Sequence, residues 1–116
     1  MVQIVKSSTF LIITPQASMT VPNAVTMWRH MEKCLLASDV RDFALDLAET
    51  REVDGAGLGI IVKMTTAAKA SGRSLYLYRP SKQVLKALHE LEIHGFFPIL
   101  EYEEDLLAHI PDPDPL

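Results

Sequence analysis

The chain has 116 residues, 48% of them hydrophobic and 22% charged, which fits one globular domain with a real core and excludes a disordered polar chain. A net charge of −4 and a pI near 5.5 supply no basic patch of the kind that nucleic-acid binding needs. Cys34 is the only cysteine, so an internal disulfide is impossible and a cysteine-based metal site is not expected. Met1 runs directly into Val-Gln-Ile-Val with no basic region or cleavage site, and no window offers the ~20 apolar residues of a membrane span. The expected location is the cytoplasm, without direct membrane insertion.

Val2 to Lys6 and Thr9 to Thr14 read as two strands broken at Ser7 and Ser8, a pair that could form a hairpin. After Thr20, Pro22 is a good first helical residue, and Val25, Trp28, Met31 and Leu35 trace one apolar face as far as Ser38-Asp39. Phe43 to Ala48 is short and apolar, as a central buried strand should be. A second helix runs from Gly55 to Ser71, with Gly72 as its stop signal. Ser74 to Arg79 reads as a further strand. A third helix follows Pro80, capped by Ser81, ending at Gly95 and burying Val84, Leu85, Leu88 and Leu91.

Phe96 to Glu101 reads as a last strand, and Pro98 within it points to an edge position. Glu103 to Ile110 makes a short final helix whose acidic start suits the helix dipole. The tail, residues 111–116, is Pro-Asp-Pro-Asp-Pro-Leu and is expected to be disordered. Strands separated by helices imply mostly parallel pairing, so the expected fold is α/β, one domain over residues 1–110, with a four- to five-stranded mixed sheet and about four helices. Phe10, Ile12, Leu45, Leu47, Leu58, Ile61, Leu75 and Leu88 are expected in its core.

Leu45-Asp46-Leu47, followed by Val53-Asp54-Gly55-Ala56-Gly57-Leu58-Gly59, resembles the signature of the STAS family of anti-sigma-factor antagonists. In that family a hydrophobic strand with a central Asp leads into Asp-Ser-Ser-Gly-Leu or Asp-Ser-Thr-Gly-Leu at a helix start. Gly72 before a strand, a helix carrying Val84 and Leu88, and Phe97-Pro98-Ile99-Leu100 before an acidic helix follow in the family's order. The resemblance spans nearly the whole chain and is weakest over residues 1 to 40. It implies a regulatory module that binds an anti-sigma factor or a related kinase-fold regulator. In members switched by a kinase, the phosphorylated hydroxyl stands immediately before Gly-Leu. That position is Ala56 here, preceded by Gly55, so the resemblance implies no phosphate acceptor at the family site. An alternative within the family is a soluble accessory subunit on the ATPase of a membrane lipid transporter.

The second helix carries two apolar stripes, Leu58, Ile61, Thr65 and Ala68, and beside them Ile60, Met64 and Ala67 on the side of Ala56. One reading makes the second stripe a docking surface, giving Asp54, Gly55, Ala56, Gly57, Ile60 and Met64 as candidate partner-binding residues. The other lets a neighbouring helix cover Met64. Asp54 with its glycines could likewise form an anion pocket, or simply cap the helix and permit a tight turn. His30, His89, His94 and His109 form no metal-ligand spacing or acid–base cluster, and Cys34 reads as a small packing residue. No catalytic residue, metal ligand or cofactor site is expected.

Overall fold

The computed structural model describes residues 2–15 and 18–110. The expected tail at 111–116 lies outside the described residues. Strands β1 (Gln3–Ser7) and β2 (Phe10–Thr14) form an antiparallel hairpin around Ser8 and Thr9. After β3 (Ser18–Met19) come α1 (Asn23–Leu35), β4 (Asp42–Asp46), β5 (Glu52–Val53), α2 (Gly55–Ala70), β6 (Ser74–Tyr78), α3 (Lys82–Glu90), β7 (Ile99–Leu100) and α4 (Glu103–His109). The main sheet has five strands in the order β1-β2-β4-β6-β7, parallel except for β1. β3 and β5 pair separately as a two-stranded parallel ribbon.

Side chains alternate across a strand, and here the two sets build two cores. Leu11 and Ile13 of β2, Phe43 and Leu45 of β4, and Leu75 and Leu77 of β6 face α1, α2 and α3. Met27, Met31, Met64, Ile61, Val84 and Leu88 meet them from the helices. Unbranched, pliable methionines suit the irregular space between two helices. On the opposite face Phe10, Ala44, Tyr78 and Leu100 receive Leu106 of α4. The small Ala44 leaves room for Phe10 and Tyr76 to stack across it, ring centroids 5.9 Å apart. β4 is buried on both faces, as its apolar run requires.

Several sequence expectations shift. α1 buries Ala24, Met27, Met31 and Cys34; Val25 is exposed, and Trp28 and Leu35 lie on the flank. Burial raises the Cys34 thiol above its ordinary pKa, in keeping with its packing role. α3 stops at Glu90, five residues before Gly95, and Leu91 is 57% exposed rather than buried. The segment beyond it forms a 3-10 turn at His94–Phe96, so β7 begins only at Ile99, on the edge that Pro98 predicts. Ile12 is half-buried because it faces the less covered side of the sheet. The other seven expected core residues are buried.

Candidate functional site

The start of α2 is set by Asp54, whose extended backbone (φ −110°, ψ −175°) makes it the N-cap. Its Oδ1 accepts a hydrogen bond from the Gly57 amide at 2.8 Å, and its carbonyl accepts from the Leu58 amide at 2.9 Å. The carboxylate therefore already occupies the positive end of the helix. This geometry is the capping reading of Asp54; a second anion would meet a negative charge there.

The three glycines of this segment are not equivalent. A Cβ on Gly57 would lie 1.8 Å from the carbonyl oxygen of Met19 and 3.1 Å from Cγ2 of Val53. Gly57 is thus needed for the close approach of α2 to the β3–β5 ribbon, not for an unusual turn. A Cβ on Gly55 or Gly59 would meet nothing within 4 Å. Ala56 is exposed between them, and Ile60, one turn on, is half-buried against the main core.

Met64 departs from the docking-surface expectation. It is 0% exposed and packs in the core shared with Met27 and Met31 of α1. α1 lies alongside α2, with the Lys63 ammonium 4.4 Å from the centroid of the Trp28 ring, and so covers the Met64 stripe. The accessible surface comprises Asp54, Gly55, Ala56, Gly59 and part of Ile60. Two exposed valines lie nearby: Val21, which the sequence reading did not single out, and Val25, which it placed on the buried face of α1. Val21 is two residues beyond the Met19 carbonyl that abuts Gly57, and Val25 is in the first turn of α1.

Asp46 has a structural part. Its Oδ2 accepts from Arg79 Nη2 at 2.7 Å and its Oδ1 from the Ala48 amide at 3.2 Å. The bond raises the already high pKa of Arg79, whose guanidinium lies 4.7 Å from the Tyr78 ring centroid. Together they tie the ends of β4 and β6, beside the Leu47 amide bonded to the Tyr78 carbonyl at 2.9 Å. Among the described residues no group of three or more His, Cys, Asp or Glu could hold a metal ion. An open depression of about 490 Å³ lies at the far end of α2, lined in part by Ser38, Arg41, Ser71 and Arg73. Arg73 directs its terminal nitrogens there to backbone carbonyls and its Nε to the Ser71 hydroxyl, so the depression is a joint in the fold.

A helix start laid bare after a buried strand, with Gly57 fitted against a neighbouring carbonyl, runs through residues that match the STAS domain model over 1–106. The chain belongs to the STAS domain family. Among solved structures it is similar to a Thermotoga maritima protein provisionally assigned as an anti-sigma factor antagonist, at 17% identity and a TM-score of 0.84, covering 94% of this chain and 93% of that one. It is also similar to the Bacillus anti-sigma factor antagonist SpoIIAA in its unphosphorylated form, at 13% identity, TM-score 0.77, and 95% and 96% coverage. A third likeness is to the murine anion transporter Slc26a9, at 15% identity and TM-score 0.75, covering 90% of this chain but 18% of that one. No curated protein matches the sequence. These likenesses establish the STAS fold. No α-helix among the described residues is long and apolar enough to cross a membrane.

Proposed function

We propose that this STAS domain is a non-catalytic, cytoplasmic binding module that engages an anti-sigma factor or a related kinase-fold regulator through the start of α2. One observation carries the reading. The solvent-facing rim of α2 is cut back to Gly55, Ala56 and Gly59, although neither glycine has any neighbour that a side chain would disturb. Glycine in an exposed helix interior costs roughly 0.5–1 kcal/mol relative to alanine, so at Gly59 the low rim comes at a cost in stability. A partner backbone can approach such a rim closely. Ala56 carries no hydroxyl, so binding is not switched by phosphate at that position.

Ala56→Glu separates docking from folding. A carboxylate in the first helical turn interacts favourably with the dipole, by ~0.3–1 kcal/mol at an exposed site, so the domain keeps its melting temperature. Burying that carboxylate unpaired in an interface costs several kcal/mol, so affinity falls by at least about a hundredfold. Ala56→Ser does far less. Partners are isolated by affinity purification and the variants titrated against them by calorimetry. Undiminished binding by Ala56→Glu removes the α2 start as the docking site, and a large drop in melting temperature means that Ala56 packs inside.

The second reading is a soluble STAS subunit that docks on the ATPase of a membrane lipid transporter. The Slc26a9 likeness supports only the coarser part of it, a STAS fold associated with transport, since there the matching part is a small share of an anion transporter. The two readings part at the identity of the purified partner.

A further inference from the structure

The two edges of the five-stranded sheet are finished in different ways. β7 is two residues long, follows Pro98 directly and has α4 packed beside it. β1 is five residues long, and no described residue pairs with its outer side. Ile4 and Val5, on opposite faces of that strand, are 41% and 58% exposed. Open edges are usually blunted by shortness, proline or a free lysine. Here the one charged side chain on β1, Lys6, is paired with Asp39 of the same chain.

We infer that β1 is a dimerisation edge, to which a second copy of this chain adds its own β1 antiparallel across a two-fold axis at Val5. The register follows from the hairpin. Ser7 and Phe10 flank a two-residue turn, which makes them a mutually hydrogen-bonded pair. By alternation Val5–Ile12 and Gln3–Thr14 are hydrogen-bonded pairs too, so the N–H and C=O groups of Ile4 and Lys6 point outward. An axis at Val5 sets Ile4 opposite Lys6 of the second copy, twice, and satisfies all of those outward groups. It also brings the two Val5 side chains together at the close, non-hydrogen-bonded spacing and pairs Gln3 with Ser7. All five residues of β1 are then used.

Charge agrees with this register. Each Lys6 lays its aliphatic stem along an Ile4 and keeps its ammonium on its own Asp39, so like charges do not face each other. An axis at Lys6 would oppose the two ammonium groups, and an axis at Ile4 would shorten the overlap. The edge is separated by β2 from the strands on which α2 packs, so its fate is independent of docking at α2.

Sedimentation equilibrium of the full chain, from about 5 to 500 µM, should show a reversible monomer–dimer equilibrium. Val5→Lys, which places two ammonium groups face to face at the axis, should raise the dimer dissociation constant at least ~tenfold. Ile4→Pro removes an outward N–H without touching the hairpin's own bonds and should weaken the dimer likewise. Leu107→Lys, on the exposed side of α4, should leave association unchanged, and melting curves on all variants confirm that they fold. A parent chain that stays monomeric over the whole range overturns the assignment. So does a dimer insensitive to both β1 variants, or one weakened equally by Leu107→Lys.

Discussion

At its start, α2 presents three glycines, an alanine and a single capping carboxylate; at its end, Ser71, Gly72 and Arg73 bind the helix to its surroundings. Gly72 takes φ +76°, and the Arg73 amide reaches back to the Ala68 carbonyl at 2.9 Å, closing the helix in a Schellman arrangement. The Arg73 side chain then crosses to the end of α1. Its Nη1 donates to the carbonyls of Ala37 and Val40 at 3.0 and 3.3 Å, its Nη2 to that of Leu35 at 2.6 Å, and its Nε to the Ser71 hydroxyl at 3.0 Å. The contrast sorts the residues by what the fold needs. At the far end nearly every polar atom is committed to structure. At the start, Asp54 and Gly57 are so committed, and Gly55, Ala56 and Gly59 are not.

The largest effect should come from the structural glycine. In Gly57→Ala the new methyl would collide with the backbone of Met19, which cannot swing away as a side-chain end could. Overpacking of this kind costs about 3 kcal/mol or more, well beyond the ~1 kcal/mol that alanine gains as a helix former. The melting temperature should fall by roughly 10 °C or more, read by circular dichroism. A change of only a degree or two would mean that the β3–β5 ribbon yields freely, and the division between committed and free residues at this end would collapse.

Arg73→Met comes next. It keeps the aliphatic stem but strips three carbonyls of a charged donor, and water can reach some of them. A loss of about 2 kcal/mol is expected, read as a lower urea midpoint. Arg73→Lys should recover less than half, because one ammonium cannot span the same fork of acceptors. Full recovery by lysine would reduce the joint to simple charge.

Much of this was legible in the sequence where local chemistry speaks unambiguously. Gly72 announces the stop of α2, Ser81 caps α3 by accepting from the Val84 amide, and the uncharged run around Leu45 announces a central strand. α3 shows the opposite case. It also ends in a Schellman arrangement, with the Ile93 amide bonded to the Leu88 carbonyl at 3.0 Å, but the left-handed residue is Glu92 at φ +56°. A glutamate gives no such signal, so Leu91 read as a continuing buried face. On α1 apolar residues cover so wide an arc that spacing cannot choose the buried line; packing against α2 takes Ala24, Met27, Met31 and Cys34. The same contact buries Met64 and trims the candidate site to its first turn and a half. The family signature located that site, but its extent depended on α1, whose Met27 and Met31 stand 37 and 33 residues before Met64.

Gly59→Ala should give the smallest change, with the opposite sign. Gly59 is in the helix interior, exposed, with open space where a Cβ would go. The fold alone therefore gains from alanine, by ~0.5–1 kcal/mol, through a reduced entropy of the unfolded chain and better helix propensity. The melting temperature should rise by about 3–6 °C, a shift that calorimetry resolves easily. Gly57→Ala and Gly59→Ala then make the same chemical change two residues apart with opposite outcomes, and the difference isolates the Met19 carbonyl. A Gly59→Ala protein that melts at or below the parent would show that the fold itself requires this glycine. The flat rim around Ala56 would then be explained by structure, and its value as a sign of docking would be lost.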